Sequence, residues 1–160
     1  MEIERKYLID ATKLPFSPED YPVHHIEQGY LCTEPVVRIR KDNEDYFLTY
    51  KSKGLMSREE YNLPLTKEAY DHLKSKVDGH IISKKRYVIP LALFIMQSTY
   101  SDLKIELDIF SEDLQGLLLA EVEFPDEKSA LSFVPPAWFG KDVTFSSEYH
   151  NSNLSQRTVL

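Results

Sequence analysis

Charged residues of one sign recur at every second position in six separate segments of this chain. The basic pairs are Arg38/Arg40, Lys51/Lys53 and Lys84/Arg86, and the acidic pairs are Glu2/Glu4, Glu106/Asp108 and Glu121/Glu123. A seventh segment, SREEYNL, aligns Arg58, Glu60 and Asn62 in the same way. A period of two is the period of a β-strand, so each segment reads as a strand with one charged face. In LKIELDIF and LLAEVEF the intervening residues are Leu103, Ile105, Leu107 and Ile109, and Ala120, Val122 and Phe124, which suit burial on the opposite face. A merely solvated face would alternate in the same way, because a half-buried sheet puts its polar side outward. Such a face has no reason to sort its strands by sign. Like charges two residues apart on a strand stand about 6.7 Å from one another. Each pair repels by roughly 2 kcal/mol at an effective dielectric near 20.

The remaining pattern is that of an antiparallel sheet. Strand-like runs cover approximately 25–32, 35–41, 45–53, 57–64, 80–90, 103–110 and 117–124, in addition to the opening MEIERKYLID. KDNED at 41–45 and SKG at 52–54 read as hairpin turns, and loops this short join antiparallel neighbours. Pro15, Pro18 and Pro22 mark residues 11–24 as a surface connection. In TKEAYDHLKSKV, Thr66 is an N-cap candidate and Ala69, Tyr70, Leu73 and Val77 recur at helical spacing. A shorter helix starts near Asp126 and is closed by Pro135–Pro136. Residues 91–102 fit either a strand or a buried loop, and the polar tail from about 151 is expected to fray. About eight antiparallel strands with two or three helices imply a sheet that curls or closes, since closure removes its edges.

Composition narrows the class. A chain of 160 residues with 42% hydrophobic content is expected to be one domain, 1–160, with room for a sizeable core. The net charge of −7 argues against a general nucleic-acid binder. Cys32 is the only cysteine, which excludes an intrachain disulfide and a cysteine-based zinc site and fits a reducing compartment. The first residues are acidic and alternating, unlike a signal peptide, and no run reaches the length of a membrane span. A cytoplasmic protein is therefore expected. His24, His25, His72, His80 and His150 show no ligand spacing, and Trp138 reads as a packing anchor.

If the sheet closes with its charged faces inward, the lumen becomes a cradle with two walls. Clustered guanidinium and ammonium groups suit a polyphosphate. Clustered carboxylates suit a hard divalent cation such as magnesium or manganese, which takes oxygen ligands and bridges to phosphate.

An ordered set of motifs then carries a resemblance over nearly the whole chain. EIERK at 2–6 is followed by QGYL at 28–31, RIR at 38–40, LTYKSK at 48–53 and SREE at 57–60. KKR at 84–86, IELDIF at 105–110, LAEVEF at 119–124 and a closing WFGKDVT with EYHNSNL complete it. This set resembles the CYTH domain family of triphosphate tunnel metalloenzymes. The resemblance implies an α+β, mainly antiparallel fold: an eight-stranded β-tunnel with a charged lumen and a few flanking helices. It implies a metal-dependent triphosphatase, with inorganic tripolyphosphate as the expected substrate. An adenylyl cyclase, a thiamine-triphosphatase and a non-catalytic polyphosphate-binding module are the rivals. By motif, Glu2, Glu4 and Glu123 are implied as metal ligands, with Mg2+ or Mn2+ as the cofactor and two ions in the active complex. Glu60, Glu106, Asp108 and Glu121 are implied as catalytic carboxylates that hold a second metal or orient water. Lys6, Arg38, Arg40, Lys51, Lys53, Arg58, Lys84 and Arg86 are implied as the phosphate-binding set. The expected partner is a small molecule bearing a triphosphate, without nucleic acid or membrane, and a homodimer is allowed. Two positions depart from the family pattern. Asn62 stands where a carboxylate is common, and Glu148 where an arginine is common before the tyrosine.

Overall fold

Period-two alternation is realised as a single antiparallel sheet in the computed structural model, which describes residues 1–156. Its strands are β1 (Glu2–Ile9), β2 (Val23–Thr33), β3 (Val36–Asp42), β4 (Asp45–Lys51), β5 (Ser57–Arg58), β6 (Glu60–Pro64), β7 (Asp78–Pro90), β8 (Lys104–Phe110), β9 (Leu118–Glu123) and β10 (Phe139–Asp142). The strand order is β10-β1-β9-β8-β7-β2-β3-β4-β6, and β5 pairs with β1. The predicted strand at 57–64 is thus broken at Glu59 into β5 and β6. Its two halves bond to opposite neighbours: β6 to β4, and β5 to β1 through Glu2↔Arg58 and Ile3↔Ser57. Taken together they fill one position and bring the sheet round to its starting strand, giving a ring of eight positions. β10 lies outside the ring, along the later half of β1.

Parity decides what fills the ring and what coats it. The outward residues of β1, β7, β8 and β9, among them Tyr7, Ile89, Ile105, Leu107 and Val122, are almost wholly buried. They are covered by the segments between the strands, including α2 (Glu127–Leu131), and by an aromatic cluster in which Trp138 packs against Phe16, Phe94 and Phe139. Trp138 is a packing anchor, as its sequence context indicates. Residues 91–102 form no strand. They make two 3-10 turns, Leu91–Leu93 and Ser98–Tyr100, whose buried Leu91 and Tyr100 join this outer core. The inward parity carries the charges, but only over part of its length. Ile82, Phe110, Leu119 and Val36 have the same parity as the charged pairs of their strands, and with Tyr30 of β2 they pack as a second apolar core. One end of the lumen is therefore filled with hydrocarbon and the middle is left polar.

The helices follow their caps. Thr66 Oγ1 accepts from the Ala69 amide at 3.1 Å and opens α1 (Lys67–Lys74), which is shorter than the helical spacing to Val77 suggests. Asp126 accepts from the Ser129 amide at 2.7 Å and opens α2, which ends before Pro135 is reached. Asn151–Leu154 form α3, and Leu154 is fully buried in the lumen core. His80 holds this segment twice, with its Nε2 at 2.9 Å from the Leu154 carbonyl and its amide donating to the Ser155 carbonyl at 2.8 Å. The neighbouring Gly79 has φ +67°, and a Cβ there would lie 2.3 Å from the Ser155 carbonyl oxygen. Glycine is required on both grounds. The remainder of the predicted tail, 157–160, lies outside the described residues. No helix among the described residues is long and apolar enough to cross a membrane.

Candidate active site

Between the apolar plug and the open mouth lies a polar cavity of about 170 Å³. Its walls hold Glu2, Glu4 and Lys6 from β1, Arg38 and Arg40 from β3, Lys51 from β4 and Arg58 from β5. Glu60 from β6, Arg86 from β7, Glu106 from β8, and Glu121 and Glu123 from β9 complete the set read from sequence. Register explains why they meet: Glu4 stands opposite Glu123, Lys6 opposite Glu121, and Glu106 opposite Glu121.

Three of the expected residues lie elsewhere. Lys53 was placed inward by extending the alternation of β4, but β4 stops at Lys51 and the chain turns through Gly54, where φ is +141°. Lys53 consequently projects into solvent and pairs with Glu34 at 3.1 Å. Lys84 and Asp108 have the correct parity but sit deeper, toward the plug. They form a fully buried ion pair of 2.7 Å, with Lys84 over the Phe110 ring. Arg86 bonds Asp108 through two nitrogens, at 2.7 and 2.8 Å, while itself lining the cavity. Asp108 thus reaches the cavity only through Arg86.

Five lining residues were not singled out from sequence: Tyr30, Val36, His150, Asn151 and Ser152. Tyr30 lies within the QGYL motif and shares the inward parity of Gln28, which is a usable signal. The last three come from the turn between Ser147–Tyr149 and α3, where no periodicity exists to reveal them. Lys6 Nζ donates to the Tyr149 carbonyl at 3.3 Å, tying this turn to β1. Burial, then the nearby Lys6, pulls the His150 imidazole down to about 4, so it is neutral at physiological pH.

The charges fall into two groups. Some are satisfied within the protein: Lys6 pairs with Glu121 at 3.4 Å, Lys51 with Glu2 at 3.0 Å and Glu60 at 3.4 Å, and Arg86 with Glu106 at 3.2 Å. Burial works against the Glu121 carboxylate, but Lys6 and Arg86, with Lys84 and Lys51 behind them, outweigh it and hold the group well below its ordinary range. Other charges are not satisfied. Arg38, Arg40 and Arg58 have no carboxylate at ion-pair distance among the described residues, and the buried Arg38 Nε has no hydrogen-bond partner. Burial, then Arg38 and Arg86, pulls Arg40 down to about 9. On the other wall, burial followed by repulsion from Glu121 and Glu2 pushes Glu4 up to about 8. Glu2 is raised by burial and by the hydrogen bond it shares with Glu60, despite Lys51. Glu123 is raised by burial and by Glu106.

The donor set on the acidic wall is carboxylate oxygen throughout, the type a hard divalent cation takes. The carboxylates pushed upward are Glu4 and Glu123, which have no ion-pair partner among the described residues, and Glu2, which shares Lys51 with Glu60. In the present side-chain arrangement no three histidine, cysteine or carboxylate groups converge into a cage among the described residues. The acidic wall therefore fits a divalent cation in chemistry and in electrostatic demand, and its side chains would have to close on the ion.

Comparison with known proteins agrees with this geometry. Residues 1–131 match the model of the CYTH domain family. An inorganic triphosphatase of Nitrosomonas europaea is 36% identical over 157 residues, covering 96% of each chain. An inorganic triphosphatase of Acetivibrio thermocellus is 34% identical over 160 residues, covering 96% of this chain and 92% of that one. Among solved structures, an inorganic triphosphatase superposes with a TM-score of 0.71 at 31% identity, covering 100% of this chain and 97% of the other.

Proposed function

The chain belongs to the CYTH domain family, and from that premise we propose that it is a divalent-metal-dependent hydrolase of inorganic tripolyphosphate. One observation carries the reading. The same cavity holds guanidinium groups lacking a carboxylate partner, Arg38, Arg40 and Arg58, and carboxylates lacking a cation, Glu4 and Glu123, beside a Glu2 that shares its lysine with Glu60. A polyanion alone would satisfy the first wall and worsen the second. A metal complex of a triphosphate satisfies both.

In this reading Arg38, Arg40 and Arg58 take the non-bridging phosphate oxygens, and their charge follows the oxygens into the transition state. Lys6, Lys51 and Arg86 line the cavity but are already tied to carboxylates, so their part is shared between ligand and wall. Glu2, Glu4 and Glu123 would hold a divalent cation, which when bound neutralises phosphate charge and acts as a Lewis acid. Glu121 and Glu106, opposite one another across β8 and β9, together with Glu60, would orient a water for in-line attack on a terminal phosphorus. Attack forms the new P–O bond as the bridging P–O bond breaks, and orthophosphate and pyrophosphate leave. Asp108 acts through Arg86, whose plane it fixes. The lining supports an inorganic substrate over a nucleotide: among the described residues that line the cavity, Tyr30 is the one aromatic side chain other than His150, and it packs into the apolar lumen core.

The test is phosphate release with manganese from tripolyphosphate, ATP, thiamine triphosphate and pyrophosphate, with cyclic AMP measured in parallel. The expected result is fastest turnover of tripolyphosphate and no cyclic AMP. Cyclic AMP formation, or a preference for ATP or thiamine triphosphate, would overturn the substrate assignment.

A further inference from the structure

Gln28 lies behind the cavity wall, in contact with the lining residue Arg40. It lies on β2 with inward parity, opposite Arg40 on β3 and Ile82 on β7, and it is fully buried. Its Oε1 accepts a hydrogen bond from Arg40 Nε at 2.9 Å, and its Nε2 has no partner. Lys6, Lys51 and Arg86 are each held by a carboxylate, whereas Arg40 is held by a neutral amide. The difference has a chemical consequence. A glutamate at 28 would orient the guanidinium and cancel its charge together. A glutamine orients it and leaves the charge intact. Because the contact is made at Nε, both terminal nitrogens of Arg40 remain available as donors, the arrangement needed for two-point contact with phosphate oxygens.

We propose that Gln28 is a positioning residue for the triphosphate site: it fixes the Arg40 guanidinium through Nε so that an un-neutralised cation faces the phosphate chain. The unpartnered Nε2 makes this separable from a structural role. A buried donor with no acceptor destabilises the fold, so the Nε2 group adds nothing to stability, and what Gln28 contributes is its oxygen to Arg40. The inference rests on the proposed triphosphate function and gives a role to a residue of the QGYL motif for which the sequence reading assigned none.

The experiment measures binding of inorganic tripolyphosphate, in chelator and without metal, to the parent, Gln28→Leu, Gln28→Glu, Arg40→Ala and Gln28→Leu/Arg40→Ala. Each protein's thermal unfolding is recorded in parallel. Gln28→Leu exchanges the unpartnered Nε2 for an unpartnered Arg40 Nε, so it is expected to unfold close to the parent's temperature yet to bind about tenfold more weakly, the effect of losing a hydrogen bond to a charged group. Gln28→Glu, which keeps an oxygen for Nε, is expected not to rescue binding, because it neutralises Arg40. The double variant is expected to bind no more weakly than Arg40→Ala alone, since Gln28 acts through Arg40. With manganese added, the same loss should be seen in KM for Gln28→Leu. If Gln28→Leu binds like the parent while Arg40→Ala is weakened, the role of Gln28 is overturned and the triphosphate site stands. Additive losses in the double variant, or rescue by Gln28→Glu, overturn it equally. If Arg40→Ala binds tripolyphosphate as tightly as the parent, or the parent does not bind it, the reading of the site itself fails and this role falls with it.

Discussion

Replacing Glu4 by glutamine removes a charge that the metal-free cavity holds badly, and the cost can be worked out. Glu4 has an ordinary value of 4.5 and is pushed up to about 8, by burial first and by Glu121 and Glu2 next. Because the folded value is raised, the folded protein keeps a proton that the unfolded chain has already lost between those limits. Stability must therefore fall as pH rises through that window and level off above it. At about 1.4 kcal/mol for each tenfold, the full gap corresponds to about 5 kcal/mol. Glu4 retains partial contact with the water of the cavity, and screening reduces the figure to about 3 kcal/mol. Glu4→Gln keeps the shape and hydrogen-bonding capacity of the side chain without the ionisation. In chelator, denaturant unfolding of parent and variant at pH 6 and pH 9 should show the variant more stable at the higher pH. Its advantage should grow by about 2 kcal/mol between the two. Glu2 and Glu123 remain to give both proteins a residual slope. Turnover with manganese should be lost, and manganese should raise the melting temperature of the parent more than that of the variant. A stability difference that does not change with pH, or a variant that turns over tripolyphosphate within a few-fold of the parent, would refute the placement of Glu4 as a stressed carboxylate awaiting a cation.

Three further outcomes are expected. Arg38→Ala should weaken tripolyphosphate binding and slow turnover with little loss of stability, whereas Ile39→Ala, its fully buried neighbour of opposite parity, should cost roughly 2–5 kcal/mol in unfolding experiments. The reverse pattern would mean that the facing of β3 is inverted. Lys53→Ala should leave KM and kcat within about twofold of the parent, since an exposed ion pair contributes little. A tenfold rise in KM would return Lys53 to the phosphate-binding set. Gly79→Ala should destabilise the protein by more than the roughly 1 kcal/mol of an ordinary backbone substitution, because the new methyl meets the Ser155 carbonyl as well as an unfavourable φ. Limited proteolysis should then cut first within residues 147–156, and cleavage elsewhere would count against that mechanism.

Much of the barrel was legible because parity is a local property. Alternation alone assigned the inward face of every ring strand but β2, which carries no like-charged pair. The errors arise where parity holds but depth does not follow from it. Ile82, Phe110 and Leu119 share the parity of Lys84, Asp108 and Glu121, yet nothing local states that the lumen is plugged at their level. The burial of Lys84 and Asp108 behind Arg86 was invisible for the same reason. Lys53 failed differently, since the alternation was carried past the end of the strand into a turn. β10, with the sequence FGKD, has no strand signature and exists because β1 offers it an edge. The turn carrying His150, Asn151 and Ser152 is placed by His80 and by burial of Leu154, contacts between residues some seventy positions apart.

The ring closes on its own first strand, and this sets an order in time. β1 carries Glu2, Glu4 and Lys6, and its partners β5, β9 and β10 are separated from it by up to most of the chain. On a ribosome adding about 5–20 residues per second, β1 emerges first and waits several seconds for Leu118–Glu123 to appear. Until then it is a strand with an apolar face and unpaired edges, the kind of segment that aggregates or recruits a chaperone. Pairing between the beginning and end of a sequence also carries the highest loop-closure cost, so joining β1 to β9 should come late in folding and be slow relative to the hairpins β2–β3–β4 and β7–β8–β9. A chain truncated before residue 118 has every arginine of the basic wall and no strand on which Glu121 and Glu123 can face Glu4. The acidic half of the cavity exists only in a molecule whose synthesis has passed Glu123.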